Sequence, residues 1–125
     1  MAHGLGMLLT QQNEFAAAIT LFERSLGIYR DAGDRDQEAR ELNSLGITYG
    51  YHGDLSTARS LLEKSAALSR EIGNDRRLAA ALTNLGLVET IAGDLNRATH
   101  VLREAVTLDT EQGDLLGLVM DQTRW

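Results

Sequence analysis

The chain contains no cysteine and no proline among its 125 residues, and only 5% of its residues are aromatic. The lack of cysteine excludes disulfides and thiolate metal sites, and it fits a reducing compartment. No run of residues approaches the roughly 18 consecutive apolar positions that a membrane-spanning helix needs. The start "MAHGLGMLLT" lacks the basic segment and the small-residue cleavage site of a signal peptide. We therefore expect a cytoplasmic protein, or a piece of one.

Positive charge is also scarce. The chain has 12 Lys and Arg residues against 18 Asp and Glu residues, which gives a formal net charge of −6. Because non-specific binding to nucleic acid depends on clustered Lys and Arg, we expect no nucleic-acid partner for this segment. A hydrophobic content of 43% with 24% charged residues is typical of a folded domain.

The main positive signal is an internal repeat with a period of forty residues. The stretch "GDLSTA" at residues 53–58 returns as "GDLNRA" at residues 93–98. The same register aligns Leu5-Gly6 with Leu45-Gly46 and Leu85-Gly86, Ala18 with Ala58 and Ala98, and Gly33 with Gly73 and Gly113. A fixed period of about 20 to 50 residues indicates a solenoid, a propeller or a similar array.

Each repeat predicts two antiparallel α-helices. Apolar and small residues recur at three- and four-residue spacing over 55–68 and again over 78–92, which is one face of a helix. No stretch shows the alternation of a β-strand. The predicted helices span 3–12, 15–31, 35–52, 55–71, 75–92, 95–111 and 115–124.

Turn and packing signals agree with these helices. Gly53 followed by Asp54 gives a helix stop and then an N-cap, and Asp34 with Gln37 predicts a capping box. Glycine inside a helix costs about 1 kcal/mol relative to alanine, so its recurrence there predicts close contact between helices. The small residues concerned are Gly6, Gly46 and Gly86, together with Ala18, Ala58 and Ala98.

The segments "LGITYGYHGDLSTARSLLEKS" and "LGLVETIAGDLNRATHVLREA" resemble tetratricopeptide repeats. Tyr49 occupies the family's aromatic position, where we expect a core residue, and Glu89 replaces it in the next repeat. The period is forty rather than the usual 34, and the family's Trp and closing Pro are absent. Longer helices account for this, as in kinesin light chains, polarity adaptors and the sensor regions of bacterial transcription activators.

The resemblance implies an all-α fold, a right-handed α-solenoid of antiparallel helix pairs with about seven helices. We expect a single array over residues 1–125, with repeats at about 5–44, 45–84 and 85–124, that is a fragment of a longer protein.

In this family the first helix of each pair lines a concave groove that binds a protein or peptide. The resemblance places nine residues of the two complete first helices there: Arg40, Asn43, Ser44, Ile47, Tyr51, Thr83, Asn84, Leu87 and Ile91. His3 and Met7 hold the corresponding positions in the first repeat.

Asn84 is the residue that the resemblance singles out. An Asn before Leu-Gly holds the partner's backbone in related long repeats, and its amide can both donate and accept. The alternative is that Asn84 and Asn43 are solvated or bonded within the stack. Arg40 likewise has an alternative role, as a surface partner of Asp36 one helical turn earlier.

Nothing in the sequence converges on catalysis. His3, His52 and His100 lie at unlike positions of different repeats, and none has the one-turn spacing of a helical metal site. Ser56 and Thr57 beside Asp54 are typical of a capped first turn. We therefore expect neither an enzyme nor a cofactor, and predict a protein-binding or peptide-binding scaffold, such as the sensor region of a bacterial regulator.

Self-association through the ends of the solenoid is the alternative function. Trp125 falls in the column of Leu45, and an apolar group in the last predicted helix would cover the last pair incompletely, namely Leu115, Leu116, Leu118, Val119 and Met120. An open solenoid end is a heterologous surface, so a second copy of the chain could stack on it.

Overall fold

The computed structural model describes residues 2–124, and the side chains of residues 2–111. Within this part the chain is entirely α-helical. The six helices are α1 (Ala2–Gln11), α2 (Phe15–Ala32), α3 (Arg35–His52), α4 (Leu55–Glu71), α5 (Asp75–Ala92) and α6 (Leu95–Arg124). Each helix packs against the next one along the chain, which gives the predicted solenoid of helix pairs.

Glycine and a capping side chain set the turns between helices. Gly53 adopts φ = 97° and donates its N–H to the carbonyl of Gly50 at 3.1 Å, while the N–H of Asp54 donates to the carbonyl of Tyr49 at 2.9 Å. Asp54 then caps α4 by accepting from the backbone N–H of Thr57 at 3.1 Å and from its hydroxyl at 2.8 Å. These bonds from Thr57 hold the pKa of Asp54 below its ordinary value.

The capping box predicted at Asp34 forms only in part. Asp34 Oδ1 accepts from the backbone N–H of Gln37 at 3.2 Å, as expected. The reciprocal bond is missing because the N–H of Asp34 already donates to the carbonyl of Tyr29 at 2.9 Å. Gln37 Oε1 is consequently buried without a partner among the described residues.

In the part of the chain whose side chains are described, two hydrophobic clusters form the core, one at each junction between repeats. The first lies around α2 and α3 and contains Ala18, Phe22, Leu26, Ala39, Leu42, Leu45 and Leu68. The second lies around α4, α5 and α6 and contains Ala58, Leu62, Ala66, Leu78, Ala81, Leu82, Leu85, Val88, Val101 and Ala105. Tyr49 packs against both clusters, in agreement with its predicted core position, and this burial raises the pKa of its phenol.

The glycine column allows the close helix contact that the sequence predicts. A Cβ atom added to Gly46 would lie 2.8 Å from Leu62 Cγ, and one added to Gly6 would lie 2.7 Å from the Phe22 ring. Such distances are too short for a real Cβ, so the first and second helix of a pair meet where only glycine fits.

The predicted number of seven helices is wrong. The expected break at Gly113 does not occur, and the predicted helices 95–111 and 115–124 are one helix of 30 residues. A glycine permits a helix to end but does not force it, because its cost inside a helix is only about 1 kcal/mol. The side chains predicted to cover the last pair, and Trp125, lie outside the described residues.

Glu89, which replaces the aromatic residue of the repeat, is fully buried. Its Oε1 accepts from Arg59 Nε at 2.7 Å, and its Oε2 faces Arg97 Nε. The bond to Glu89 raises the pKa of the Arg59 guanidinium. Two arginines from α4 and α6 thus neutralise a buried carboxylate on α5, and Arg97 extends the network to Glu63 at 2.7 Å.

Candidate binding groove

The three first helices, α1, α3 and α5, form one layer of the solenoid. Their backbones approach each other directly, α1 to α3 and α3 to α5. In the described chain, α4 and α6 of the outer layer meet instead through long side chains, such as Arg70 and Glu104 at 2.6 Å. Because the inner helices lie closer together than the outer ones, the array curves with α1, α3 and α5 on its concave side.

An apolar depression lies on this concave side, between α3 and α5. Its volume is about 60 Å³. Its lining residues are Ile47, Gly50, Tyr51, Leu62, Asn84, Leu87, Val88 and Ile91. Five of these are residues that the sequence placed in the groove, and Tyr51, Leu87 and Ile91 are each more than half exposed.

Asn84 forms the polar part of the lining of the depression and bonds to Asn43 next to it. Asn84 Nδ2 donates to Asn43 Oδ1 at 3.0 Å, which joins α5 to α3. Both side chains are only partly buried. The bond within the stack, considered above as an alternative to partner binding, is therefore present, and it leaves part of each amide on the groove surface.

Arg40 is held by groups other than Asp36. Its Nη2 donates to Glu41 Oε1 at 3.1 Å and to the Tyr29 hydroxyl at 3.4 Å. The expected pairing with Asp36 is wrong because Asp36 is bound by the guanidinium of Arg77, at 2.7 and 3.0 Å. That guanidinium holds the pKa of Asp36 below its ordinary value.

The remaining predicted groove residues differ in exposure. Ser44 is buried, so it does not reach the groove surface. Thr83 is exposed, and its hydroxyl donates to the carbonyl of Ala79 at 2.8 Å. In the first repeat, His3 Nδ1 lies 3.0 Å from Oε1 of the buried Glu41, and Met7 is partly buried.

Sequence reasoning did not place three of the lining residues in the groove, namely Gly50, Leu62 and Val88. A Cβ added to Gly50 would lie 3.7 Å from Val88 Cγ2, an ordinary contact. Forty residues earlier the same column holds Thr10, whose hydroxyl bonds to that of Thr48 at 2.9 Å. Gly50 lies outside the Leu-Gly column, so the repeat pattern gives no signal for its place in the groove.

Among the side chains of residues 2–111, the exposed large hydrophobic ones fall on three surfaces. Tyr51, Leu87 and Ile91 are on the concave groove. Leu5, Leu8 and Ile28 lie in α1 and α2, in columns whose later members Leu45, Thr48 and Leu68 are buried. Leu95 and Val106 lie on α6, in the columns of Leu55 and Ala66, which pack at the junction with α5.

A family model described as tetratricopeptide repeat matches residues 1–71 and 42–111. The chain belongs to the tetratricopeptide repeat family. Proteins of this family are in general scaffolds for protein interaction. No curated protein matches the chain at a significant level.

Solved structures of long tetratricopeptide-like repeats share the fold. The BtubC (BKLC) protein from P. vanneervenii has a TM-score of 0.81 and 22% sequence identity, over 90% of this chain and 46% of the other. A putative kinesin light chain from Podosopora anserina, with nearly identical TPR-like repeats, has a TM-score of 0.78 and 18% identity, over 89% and 55%. This tetratricopeptide array thus spans about half the length of the structures that it matches.

No group of three or more His, Cys, Asp and Glu side chains in the described part of the array could hold a metal ion. None of its helices, as far as they are described, is both long and apolar enough to cross a membrane.

Proposed function

We propose that this array binds a peptide segment of another protein in the groove between α3 and α5. The observation that carries the proposal is the combination of an apolar depression with a pair of amides at its edge, on the concave layer of a tetratricopeptide solenoid. A peptide offers the matching groups, since it has a side chain for the depression and backbone N–H and C=O groups for the amides.

The size of the depression favours a peptide over a metabolite. Sites for small molecules are usually clefts of about 300–1,000 Å³ that enclose most of the ligand. The depression of about 60 Å³ is far smaller and opens onto an exposed surface. It is suited to one side chain of a longer segment that continues along the groove.

The charges of the groove do not suit an acidic tail or a nucleic acid. Arg40 is bound to Glu41, and Arg77 is bound to Asp36. An incoming carboxylate or phosphate would compete with these internal partners. The partner segment that we propose is therefore largely uncharged where it contacts α3 and α5.

The proposal extends to the kind of protein in which the array works. The forty-residue period supports a cytoplasmic regulator of the bacterial type, in which this segment is the sensor and another domain is the effector. In that arrangement residues 1–125 form one array within a longer chain.

Selection from a random linear peptide library tests the proposal. Peptides enriched on the wild-type array should be lost on a Leu87→Glu variant, because the new carboxylate would occupy the depression. Leu95→Glu is a matched control, since Leu95 is also a largely exposed leucine and lies on α6, away from the depression. If no peptide is enriched, or if both variants retain the same peptides, the groove is not the binding site.

Self-association is a second candidate, and the exposed leucines outside the groove favour it. Leu5 and Leu8 on α1 are each about half exposed, at 49% and 48%. Val106 on α6 is 62% exposed. At the junction of α4 with α5, the residues in the repeat columns of Leu5 and Leu8 belong to the same buried cluster as the residue in the column of Val106. The α1 surface of one copy could therefore stack on the α6 surface of another copy, head to tail.

Light scattering over a range of protein concentrations separates the two candidates. Stacking predicts a mass that rises with concentration and falls to that of one chain, 13.7 kDa, in a Val106→Asp variant. A mass of one chain at all concentrations would reject self-association and leave the groove.

A further inference from the structure

Gly50 contributes no side chain to the lining of the depression between α3 and α5. Gly50 lies inside α3 and forms part of the depression together with Val88 and Leu62. A Cβ at this position would point to Val88 Cγ2 and Ala58 Cβ, at 3.7 and 3.8 Å. Unlike Gly46, Gly50 is thus not required by close helix packing, because alanine would fit there in ordinary contact.

The preceding junction shows what a side chain in this column does. Thr10 of α1 stands forty residues before Gly50 and is buried. Its hydroxyl bonds to Thr48 at 2.9 Å and to the carbonyl of Gly6 at 3.0 Å. At the junction of α1 and α3 this side chain occupies the space that Gly50 leaves open between α3 and α5.

The chemistry of the lining restricts what can enter. None of the eight lining residues carries a charge at neutral pH, and the largest are Ile47, Tyr51, Leu87 and Ile91. A charged side chain placed there would lose water without gaining a partner of opposite charge, which is costly. An aliphatic side chain would lose only unfavourable contact with water.

The volume restricts the side chain further. An enclosed apolar cavity that holds a benzene ring measures roughly 150 Å³. The depression at Gly50, at about 60 Å³, is well below that size. An isobutyl or similar aliphatic group is therefore favoured over an aromatic ring.

We infer that the depression at Gly50 is a specificity pocket for a single aliphatic side chain, of the leucine type, on the bound peptide. The inference rests on the proposed peptide-binding function and adds the residue class that the groove selects. Asn84 lines the pocket and is bonded to Asn43, and these two amides would contact the peptide backbone next to that residue. The pocket would reject acidic, basic and aromatic side chains at this position.

Titration with minimal peptide analogues, observed by two-dimensional NMR, tests this selectivity. The probes are the N-acetyl N-methylamides of leucine, phenylalanine and glutamate, which share the two peptide groups and differ in the side chain. We expect saturable shifts of the backbone amides of Ile47, Tyr51 and Leu87 with the leucine probe, and an affinity at least fivefold weaker with the other two. Equal affinity for the three probes, or no saturable shifts at these positions, would overturn the inference.

A pair of glycine variants separates the pocket from the fold. Gly50→Ala fills the floor of the pocket in ordinary contact and should weaken the leucine probe at least threefold, without lowering the melting temperature. Gly27→Ala is the matched control, because Gly27 also lies inside a helix and its added Cβ would meet nothing within 4 Å. Unchanged leucine binding in Gly50→Ala would reject the pocket.

Failure of the inference can be told apart from failure of the proposed function. If library peptides bind and are lost on Leu87→Glu, but carry no shared aliphatic residue, the groove binds peptides and the pocket assignment is wrong. If neither the library nor the leucine probe yields binding, the peptide-binding function itself is rejected.

Discussion

Asn84 of α5 donates a hydrogen bond from Nδ2 to Oδ1 of Asn43 on α3, at 3.0 Å. The two residues are 41 positions apart in the chain, so the bond links consecutive repeats. It lies at the edge of the apolar depression and fixes the orientation of both amides before any partner arrives. Such preorganisation lowers the entropy cost of binding a peptide backbone.

A double-mutant cycle measures this link. We expect Asn43→Ala and Asn84→Ala each to lower the free energy of unfolding by about 0.5–1.5 kcal/mol, the usual net value of a hydrogen bond. The double variant should cost less than the sum of the two, because both single changes remove the same bond. Urea unfolding gives the three values, and strict additivity would mean that the bond contributes nothing.

In the buried network around Glu89, removal of the arginines should cost more stability than removal of the charge of Glu89. The double variant Arg59→Ala, Arg97→Ala leaves the carboxylate of Glu89 buried without its cations, and we expect a loss of about 3–5 kcal/mol in unfolding free energy. Glu89→Gln should cost less, because Arg59 and Arg97 are each about a third or more exposed and can be hydrated. Glu63→Gln, at an exposed ion pair, should change stability by about 1 kcal/mol or less. A larger loss in Glu89→Gln than in the arginine double variant would contradict this account.

Replacement by alanine should change the stability of the fold in opposite directions at Gly46 and at Gly27. In Gly46→Ala the new Cβ would lie 2.8 Å from Leu62 Cγ, so we expect overpacking to cost about 1–3 kcal/mol and to outweigh the gain in helix propensity. Gly27→Ala meets nothing within 4 Å and should gain up to about 1 kcal/mol. Thermal unfolding of both variants gives the comparison. Stabilisation by Gly46→Ala would show that the helices do not meet this closely.

Stability should fall in acid through two carboxylates that join consecutive repeats, Asp36 between the inner helices α3 and α5 and Glu104 between the outer helices α4 and α6. The guanidinium of Arg77 lowers the pKa of Asp36 below its ordinary value, and that of Arg70 does the same for Glu104. A carboxylate whose pKa is lowered by folding contributes stability above its ordinary pKa, and the contribution is lost as the pH falls through the lowered value.

The melting temperature measured from pH 7 down to pH 3 tests this direction. The double variant Asp36→Asn, Glu104→Gln should be less stable than the wild type at pH 7 and should lose less on acidification below about pH 4.5. Asp31→Asn is the control, since Asp31 is exposed and has no ion pair among the described residues. A double variant that follows the wild-type curve would show that these pairs do not stabilise the fold.

Local patterns explain why most of the fold could be predicted from the sequence. Helix spacing, the glycine stops and the Asp or Asn caps act over three or four residues. Of the first six predicted helices, five end within one residue of the C-terminal end that the structure shows. The predicted helix break at Gly113 is wrong because a glycine can either end a helix or lie within one. The close approach at Gly46 followed from its column alone.

The contacts between repeats could not be predicted in the same way. Asp36 pairs with Arg77 rather than with Arg40, and Glu89 forms ion pairs with Arg59 and Arg97. The stacking of the helices decides which of these long side chains meet. A signal was nonetheless present for some of the pairs between repeats. Asp36 and Arg77 are 41 positions apart, and Arg70 and Glu104 are 34 apart, each about one repeat period. Arg59 and Glu89 are only 30 apart, so the period gives no signal for that pair.

The most direct test of groove binding is the affinity of one selected peptide for two variants with equally exposed target residues. Ile91 is 61% exposed in the groove, and Val106 is 62% exposed on α6. Isothermal titration calorimetry should show at least tenfold weaker binding for Ile91→Asp, about 1.4 kcal/mol, and binding within twofold of wild type for Val106→Asp. Loss of binding in Val106→Asp with full affinity in Ile91→Asp would place the binding surface on the end of the solenoid and contradict the groove.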